Sequence, residues 1–519
     1  MRPPLPTIDS KNSLESGCSL STSNRTEHLS STTVEDVGRK TTKPKIRTIT
    51  AFIKLTEFDF LEKSDYTLSM FPSLKAKIDA VVDGLKDLEI KYQEDGYIVE
   101  SLRIATNPFG VWLLQNDEFV LADRLEFLGS LLHRHGIFGC CLGPAKNTNE
   151  LACVRQIIAS SEKFHCFFML NANDHVGAHE AKEMVYDISS VNSQGLANFR
   201  FAVAAKTCKP WNPCFPVAYY EEEEKQEEEA GTGEEIDHRR FDVRFAIGLE
   251  NSSIVKLLLR KCGSIENIDT IFRQGMVEAL IPIQQIANNF CSTDDTQSKK
   301  NGKHGNTIRD LDKIFRDVMV HVLFPPGIAH SCSNHIHNGV QPISFRFMGI
   351  DTTVHFPFKT SSFVSALECL DEIDEFGECG TIAACTAISK VLQSMECIRS
   401  TGFCGLDIPV CSDRRFVQLI ESSICPRRLI NILPVCANGI DMVCVPGSDV
   451  HLHTQSEQSL RSLLLDMVTL AEQLGKPLIS RILPVPGKKK GDRVNFGSSS
   501  HFINCNVIYL DKGECKGER

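Results

Sequence analysis

A single charged residue interrupts an apolar stretch near the C-terminus. Arg481 lies within PLISRILPV (477–485), which has the composition of a buried strand. A buried guanidinium needs either a carboxylate of the protein or an anionic ligand as its partner. Asp351 and Asp407 are the protein carboxylates that could face it. The sequence therefore predicts at Arg481 either a buried ion pair or an anion-binding group.

Other polar side chains come directly after predicted strands. Asn171 follows FHCFFML, Lys206 follows FRFAVAA, and Asp351 ends ISFRFMGID. Parallel α/β folds collect reactive groups in the loops after the C-terminal ends of their strands. We therefore predict that Asn171 and Lys206 bind ligand and that Asp351 or Asp407 carries a proton. For Asp351 an equally open alternative is that its side chain only forms hydrogen bonds within its own turn.

Two residues follow the predicted strand FDVRFAIGL and open a helical pattern. Asn251 and Ser252 precede IVKLLLRK, so the first amides of that helix could bind an anion. The competing interpretation is that either side chain simply caps the helix. We place both among the predicted ligand-binding residues. The turn GKKKGD that follows the Arg481 strand is predicted to be solvated, since it lacks the glycine loop and the Ser or Thr of a P-loop.

A short cluster of metal-ligand residue types occurs in HSCSNHIHN, where His330, Cys332, His335 and His337 lie close in sequence. No second pair follows at zinc-finger spacing, so we predict no metal site. Hydrolysis by a metal bound to the three histidines is kept as the weakest alternative function. No Walker loop, dinucleotide fingerprint or nucleophile elbow is present, which leaves the cofactor unknown.

Composition limits the classes of partner. The chain has 519 residues, is 42% hydrophobic and carries a formal net charge of -10. Its basic residues are scattered rather than striped, which argues against nucleic acid as a partner. No apolar run has the length of a signal peptide core or a membrane span, so we expect a cytoplasmic protein without a membrane partner. The 21 cysteines are odd in number and sit in apolar segments, which is typical of reduced core thiols.

The elements that must position these groups alternate along the chain. Long helical patterns separate β-rich runs, which predicts an α/β protein whose parallel strands are buried on both faces. The predicted helices are 73–88, 268–290 and 459–475. The predicted strands are 46–55, 164–170, 199–205, 241–249, 343–351, 440–446 and 477–485.

Domain boundaries follow from shifts in composition. Residues 1–43 are rich in Ser and Thr and predict a disordered tail, although a transit peptide is an alternative. Residues 44–512 are predicted to form one domain, with inserted surface loops at 219–240 and 291–306. Residues 513–519 are predicted to be a flexible C-terminus.

Four motifs in the last third resemble, in order, those of domain-of-unknown-function family 711. They are GTIAACTAI (380–388), GFCGLDIPVCSDRRF (402–416), VCANGIDMVCVPGS (435–448) and RILPVPGKKKGDRVNFG (481–497), and IRTIT at 46–50 is similar to the opening strand of that family. The resemblance covers roughly residues 45–510. It implies a single large barrel of alternating strands and helices, similar to the barrel of pyruvate formate-lyase. It implies no established activity, and GLENSS (248–253) departs from the glycine-rich turn of bacterial members.

The leading functional hypothesis is a barrel-mouth pocket that binds a small anionic metabolite. Arg481, the amides at Asn251 and Ser252, and Lys206 would hold the anion, and the protein could also transform it. The alternative from another class is a ligand-sensing or scaffold protein that keeps the barrel without catalysis. Related large barrels often pair, which predicts a homodimer.

Overall fold

The structure is a computed structural model. For residues 118–120, 293–301 and 453–458 it describes the backbone alone. It describes residues 43–60, 71–114, 118–206, 208–221, 241–301, 343–354, 362–407, 409–422, 433–447, 453–497 and 502–508.

Nine strands of the described chain form one mixed sheet in the spatial order β7-β6-β1-β2-β3-β4-β5-β9-β8, and two short strands pair separately. The strands are β1 (Lys45–Ile53), β2 (Leu102–Thr106), β3 (Gly139–Ala145), β4 (Phe164–Leu170), β5 (Phe201–Ala205), β6 (Phe241–Glu250), β7 (Ile343–Asp351), β8 (Gly439–Pro446), β9 (Ile479–Val485), β10 (Arg493–Val494) and β11 (Cys505–Asn506).

Helices connect most successive strands. A π-helical turn (Ile268–Phe272) precedes α7, and short 3-10 helices occur between other elements. The α-helices are α1 (Pro72–Glu94), α2 (Glu118–Arg134), α3 (Thr148–Ala152), α4 (Val154–Ser160), α5 (His175–Ser189), α6 (Ser252–Cys262), α7 (Arg273–Asn301), α8 (Val364–Leu367), α9 (Thr381–Gln393), α10 (Arg414–Ser422) and α11 (His453–Leu474).

Helix α1 shows how the apolar pattern produces the packing. Pro72 occupies the first turn, where its missing amide hydrogen costs nothing. Leu74, Ile78 and Leu85 recur at helical spacing and are completely buried, so one stripe of the helix faces the core. Removing such side chains from water contributes about 2 kcal/mol each. The helix ends at Glu94, ahead of Gly96, whose φ of 77° suits glycine.

The sheet contains two sets of parallel strands that run in opposite directions. Strands β1 to β5 are parallel to one another, whereas β6 pairs with β1 and β9 pairs with β5 in antiparallel fashion. The expectation of parallel strands is therefore right within each set and wrong at these two junctions. Because the sets are opposed, the C-terminal ends of the strands lie at both edges of the sheet.

The two strands at the ends of the sheet both bond to residues 399–411. On the β7 side, Thr401 N donates to Ile350 O (3.0 Å) and Val354 N donates to Gly405 O (2.8 Å). On the β8 side, Val410 N donates to Asp441 O (3.0 Å). These pairings are parallel bridges. A single irregular segment thus lies against both terminal strands.

The two faces of the sheet pack against different parts of the chain. Side chains such as Ile49, Ile104 and Val203 belong to the large cluster formed with the helices. The adjacent strand residues point to the opposite face. There Phe52 and Ala105 form a second cluster with side chains of the loop 208–220. Small side chains at several strand positions leave room for this loop, so the chain that follows β5 covers this face of the sheet.

Three sequence predictions differ from the structure. Strands β2 and β3 were not predicted, because LRIAT carries an arginine and GCCLGPA carries Gly and Pro, which weaken a strand signal. Helix α7 extends to Asn301 and includes the first part of the loop predicted at 291–306. Its polar residues are compatible with a solvent-facing helix, so polarity alone does not indicate a loop.

Other predictions fall on residues outside the described chain. These are residues 1–42 of the predicted tail, residues 222–240 of the predicted acidic loop, residues 302–306 of the second loop and the C-terminal 509–519. Within the described chain, no helix combines the length and apolarity needed to cross a bilayer.

Candidate functional site

The loop 208–220 and the strand ends around it line a cavity. Its volume is about 50 Å³, several times the roughly 10–15 Å³ that one water molecule needs. Three arginines reach it, which gives it a cationic wall. The lining residues are Arg47, Thr48, Arg103, Phe138, His165, Phe199, Cys214, Phe215, Val217, Phe403, Asp407, Pro409, Asn438, Met442, Ile479 and Arg481.

The cavity lies near the N-terminal ends of several strands. Arg103 is the second residue of β2, His165 is the second residue of β4, and Arg481 is the third residue of β9. The loop after β5 also contributes, through Cys214, Phe215 and Val217, whereas the residues directly after β4 and β5 do not line the cavity.

Arg481 forms a buried ion pair within this wall. Its Nε lies 2.6 Å from Asp441 Oδ1 and its Nη2 lies 2.6 Å from Asp441 Oδ2. The partner is thus Asp441, and neither Asp351 nor Asp407, because Asp441 is in register with Arg481 on the adjacent strand β8. Burial alone would lower the pKa of Arg481, but the Asp441 carboxylate outweighs it and raises this pKa. Arg481 Nη1 also donates to Phe199 O (3.2 Å).

Arg103 differs from Arg481 in having no carboxylate within hydrogen-bonding distance among the described residues, although the charge of Glu100 acts on it from further away. Its Nε donates to Ser101 Oγ at 3.1 Å, and its guanidinium carbon lies 4.7 Å and 5.1 Å from the ring centres of Phe138 and Phe215. Only 9% of its surface is exposed. Burial, and then the nearby charge of Arg47, lower the pKa of Arg103 to about 9. The residue is therefore a buried cation at neutral pH that an anion in the cavity would stabilise.

His165 places a neutral imidazole in the same wall. Its Nδ1 lies 3.3 Å from Lys163 O, and a carbonyl oxygen only accepts, so Nδ1 carries the hydrogen and Nε2 keeps a lone pair. Burial, followed by the positive charges of Arg200 and Arg103, lowers the pKa of His165 well below its ordinary value. An imidazole in this state stays neutral and offers Nε2 as a hydrogen-bond acceptor.

Asp407 is the predicted acid that reaches the cavity. It is 7% exposed, and its Oδ1 accepts a hydrogen bond from Asn438 Nδ2 at 2.5 Å. Asn438 also lines the cavity and immediately precedes β8. A carboxylate in a cavity with three arginines is suited to exchange a proton with a ligand.

Asp351 is completely buried and does not line the cavity. Its Oδ1 accepts hydrogen bonds from Thr353 N and Cys404 N, both at 3.0 Å, and from Thr353 Oγ1 at 2.5 Å. Its Oδ2 accepts from Cys214 Sγ at 3.4 Å. Burial, and then the charge of Asp351, raise the pKa of the Cys214 thiol. Asp351 therefore reaches the cavity only through Cys214 and mainly bonds the turn that follows β7.

The remaining predicted residues lie away from the cavity. Asn251 is buried at the start of α6, where its Nδ2 donates to Thr353 O at 3.1 Å and its Oδ1 has no partner among the described residues. Ser252 donates from both N and Oγ to Glu250 Oε1. Lys206 is exposed and Asn171 is partly exposed at the far ends of β5 and β4. The structure thus brings together Arg481 and Asp407 but not these four residues.

Two cavity residues were missed by the sequence interpretation although a signal existed. Arg103 interrupts the apolar run of β2 in the same way that Arg481 interrupts β9. His165 likewise lies within FHCFFML. The rule that a polar residue inside a buried strand must be paired or functional applies to both. The histidine cluster at 330–337 lies outside the described residues.

These features define a class: an α/β protein with a mixed sheet and a small, arginine-lined cavity against one of its faces. Within that class the chain belongs to the family of proteins described as Uncharacterised ACR (DUF711), whose sequence profile matches residues 40–501. The resemblance inferred from the C-terminal motifs is thereby confirmed.

Several bacterial relatives carry the name UPF0210 protein. The chain is 30% identical over 139 residues to the one from Clostridium botulinum (strain Alaska E43 / Type E3), a match that covers 26% of this chain and 30% of that protein. It is 29% identical over 129 residues to one from Corynebacterium glutamicum, covering 24% and 26% of the two chains. The aligned segment thus spans about a third or less of each of these relatives.

Proposed function

We propose that the arginine-lined cavity binds a small anionic metabolite and that Arg103 is the principal binding group. The single observation that carries this proposal is a buried guanidinium that faces the cavity and has no hydrogen-bonded carboxylate in the described chain. Removing a cation from water is costly unless an opposite charge approaches it. A carboxylate or phosphate would supply that charge and would match the two free Nη groups.

Arg481 contributes in a different way. Asp441 already neutralises its charge through two hydrogen bonds. The pair therefore adds a fixed, oriented N–H group to the cavity wall but little net attraction for an anion. The volume of about 50 Å³ favours a ligand of only a few non-hydrogen atoms.

The same cavity supports proton transfer to or from the bound anion. Asp407 and the neutral His165 both line it, and a carboxylate and an imidazole are the side chains used most often as general acid and base. Chemistry at this site would use Asp407 and His165, whereas Asp351 would hold the turn behind Cys214. A ligand sensor would use the same anion contacts without turnover.

The sheet is proposed to close into a barrel through residues 399–411. This segment bonds to Ile350 and Val354 on one side and to Asp441 on the other. Together with the two opposed sets of parallel strands, it would complete a ring similar to the barrel of pyruvate formate-lyase. A closed ring would explain why the inward-facing side chains pack on a single interior loop.

The experiment is a thermal-shift screen of the purified protein against small carboxylates, phosphates and amino acids, followed by calorimetric titration of each hit. The key variant is Arg103→Gln. Its matched control is Arg346→Gln, which removes an exposed arginine from strand β7. We expect an anion that raises the melting temperature of the wild type and of Arg346→Gln, with its affinity reduced at least about tenfold in Arg103→Gln.

The proposal would be wrong if the wild type bound none of the anions, or if Arg103→Gln bound them as tightly as the control. Hits are next incubated with the protein and followed by mass spectrometry. Conversion that disappears in Asp407→Asn supports an enzyme, whereas stable binding without conversion supports a ligand sensor.

A further inference from the structure

Three buried cysteines from separate parts of the chain meet at one point away from the cavity lining. Cys411 Sγ lies 3.5 Å from Cys444 Sγ and 3.3 Å from Cys505 Sγ, and the third distance is 3.7 Å. Each residue is less than a tenth exposed. These residues are free cysteines, so the short distances do not reflect a disulfide. Three sulfur ligands therefore surround one small volume.

Backbone hydrogen bonds hold the three cysteines in place. Ile503 N donates to Cys411 O at 2.8 Å, and Ile508 N donates to Cys444 O at 3.0 Å. Cys505 itself lies in β11, paired with β10. The cluster thus connects the turn before α10, the terminal strand β8 and the C-terminal hairpin. This convergence is set by regular structure and not by the rotation of one exposed side chain.

The spacing of the sulfur atoms matches that of thiolates around a single metal ion. In tetrahedral zinc sites the Zn–S distance is about 2.3 Å, which places neighbouring sulfurs about 3.8 Å apart. A metal ion placed about 2.3 Å from Cys411, Cys444 and Cys505 Sγ would lie about 1 Å out of the plane of these three sulfur atoms. Such a pyramidal arrangement leaves a fourth position for another ligand. Thiolate donors select zinc or copper(I) over hard cations such as magnesium.

We propose that Cys411, Cys444 and Cys505 bind one thiophilic metal ion of the zinc or copper(I) class and so attach the C-terminal hairpin to the sheet. The ion replaces the thiol hydrogens, and three protons are released when it binds. A divalent ion with three thiolates leaves one negative charge. Arg493, which lies in the same hairpin, is already paired with Glu421 at 2.7 Å and donates from Nη2 to Asn504 O at 3.2 Å, so it offsets this charge only in part.

Two other interpretations make different predictions. Free cysteine is a common core residue, so three thiols could pack together without metal. Alternatively, Cys411 and Cys505 could form a disulfide after oxidation, which would leave Cys444 as the remaining thiol. The convergence of three sulfurs, rather than two, favours a metal ion because a disulfide uses only one pair.

The test measures bound metal in the full chain, purified without chelator and under reducing conditions. Elemental analysis is expected to find about one zinc or copper per chain in the wild type. Cys411→Ser, Cys444→Ser and Cys505→Ser should each lose most of it. Cys166→Ser is the matched control, because Cys166 is equally buried in a strand but lies outside the cluster, and it should retain the metal.

If the serine variants fail to fold, the wild type still decides the question. Metal is removed in denaturant with a chelator and the protein is refolded with Co²⁺, whose bound form should show a sulfur-to-cobalt charge-transfer band in the near ultraviolet. Chelation should also lower the melting temperature of the refolded protein. The proposal is overturned by wild-type protein with no stoichiometric metal and no such band, or by a Cys411–Cys505 disulfide found by mass spectrometry.

Discussion

Arg481 and Asp441 form a two-point ion pair across neighbouring strands, with Nε–Oδ1 and Nη2–Oδ2 distances of 2.6 Å each. Both residues are in register on β9 and β8, and both are buried. The Asp441 carboxylate neutralises the buried charge of Arg481, so this arginine does not need a ligand as its partner. Arg103 faces the same cavity without such a two-point carboxylate partner in the described chain, and this contrast is the basis for proposing Arg103, and not Arg481, as the principal anion-binding group.

The first prediction concerns the Arg481–Asp441 pair. Asp441→Leu should lower the free energy of unfolding by about 3–5 kcal/mol because it leaves a buried guanidinium unpaired. The double variant Arg481→Met with Asp441→Leu should recover most of this loss. Chemical denaturation of the single and double variants measures both effects. Asp269→Asn, which breaks the exposed pair with Arg273, should cost less than about 1 kcal/mol. Equal losses in the single and double variants would contradict the prediction.

The second prediction separates stability from binding at Arg103. Arg103→Met should change the free energy of unfolding of the ligand-free protein by less than about 1 kcal/mol, because the lost ring contacts are offset by the removal of a buried charge. Arg200→Met is the contrasting variant. Arg200 Nη1 donates to three carbonyl oxygens, and leaving these unpaired should cost about 2–3 kcal/mol. A large destabilisation by Arg103→Met would indicate a structural role.

The third prediction is a pH dependence that originates at His165. Burial and the adjacent arginines lower the pKa of His165 in the folded state below its unfolded value near 6.5. Below about pH 6.5 the unfolded state therefore binds more protons, and stability falls with decreasing pH by up to about 1.4 kcal/mol per unit. Denaturation between pH 8 and pH 5 should show a smaller fall in His165→Gln. If the free energy of unfolding falls equally with pH in the wild type and in His165→Gln, the pH dependence does not originate at His165.

The fourth prediction concerns Asp407. Its carboxylate faces the same cavity as three arginines and would repel an anion, so Asp407→Asn should tighten anion binding by about tenfold, or 1.4 kcal/mol. Any turnover should be lost at the same time, because the amide cannot exchange a proton. Calorimetric titration measures the affinity. Weaker binding in Asp407→Asn would instead assign this carboxylate a direct positioning role.

The fifth prediction assigns Asp351 to stability. Asp351→Ala should lower the free energy of unfolding by about 2–4 kcal/mol, since Thr353 and Cys404 lose a shared acceptor in a fully buried position. The anion affinity of the protein that remains folded should stay within about twofold of the wild type, because Asp351 does not line the cavity. A selective loss of binding or turnover would restore the catalytic hypothesis for this residue.

Local patterns along the chain were enough to predict the α/β class, most of the strands and the family. Helices such as α1 carry their own periodic apolar stripe, and strands such as β4 and β9 are continuous apolar runs. The sequence alone also predicted that Arg481 must have a negatively charged partner, because the cost of burying a charge depends only on the residue and its strand. These properties are local, and a single sequence contains them.

Only the tertiary structure decided which groups meet. Asp441 pairs with Arg481 because the register of β8 against β9 aligns them, and register is set by long-range pairing. Arg103 and His165 share a cavity near the N-terminal ends of β2 and β4, whereas Asn171 and Lys206 lie at the opposite ends of β4 and β5. Cys411, Cys444 and Cys505 converge although up to 94 residues separate them, because chain folding, and not sequence spacing, determines which side chains become neighbours.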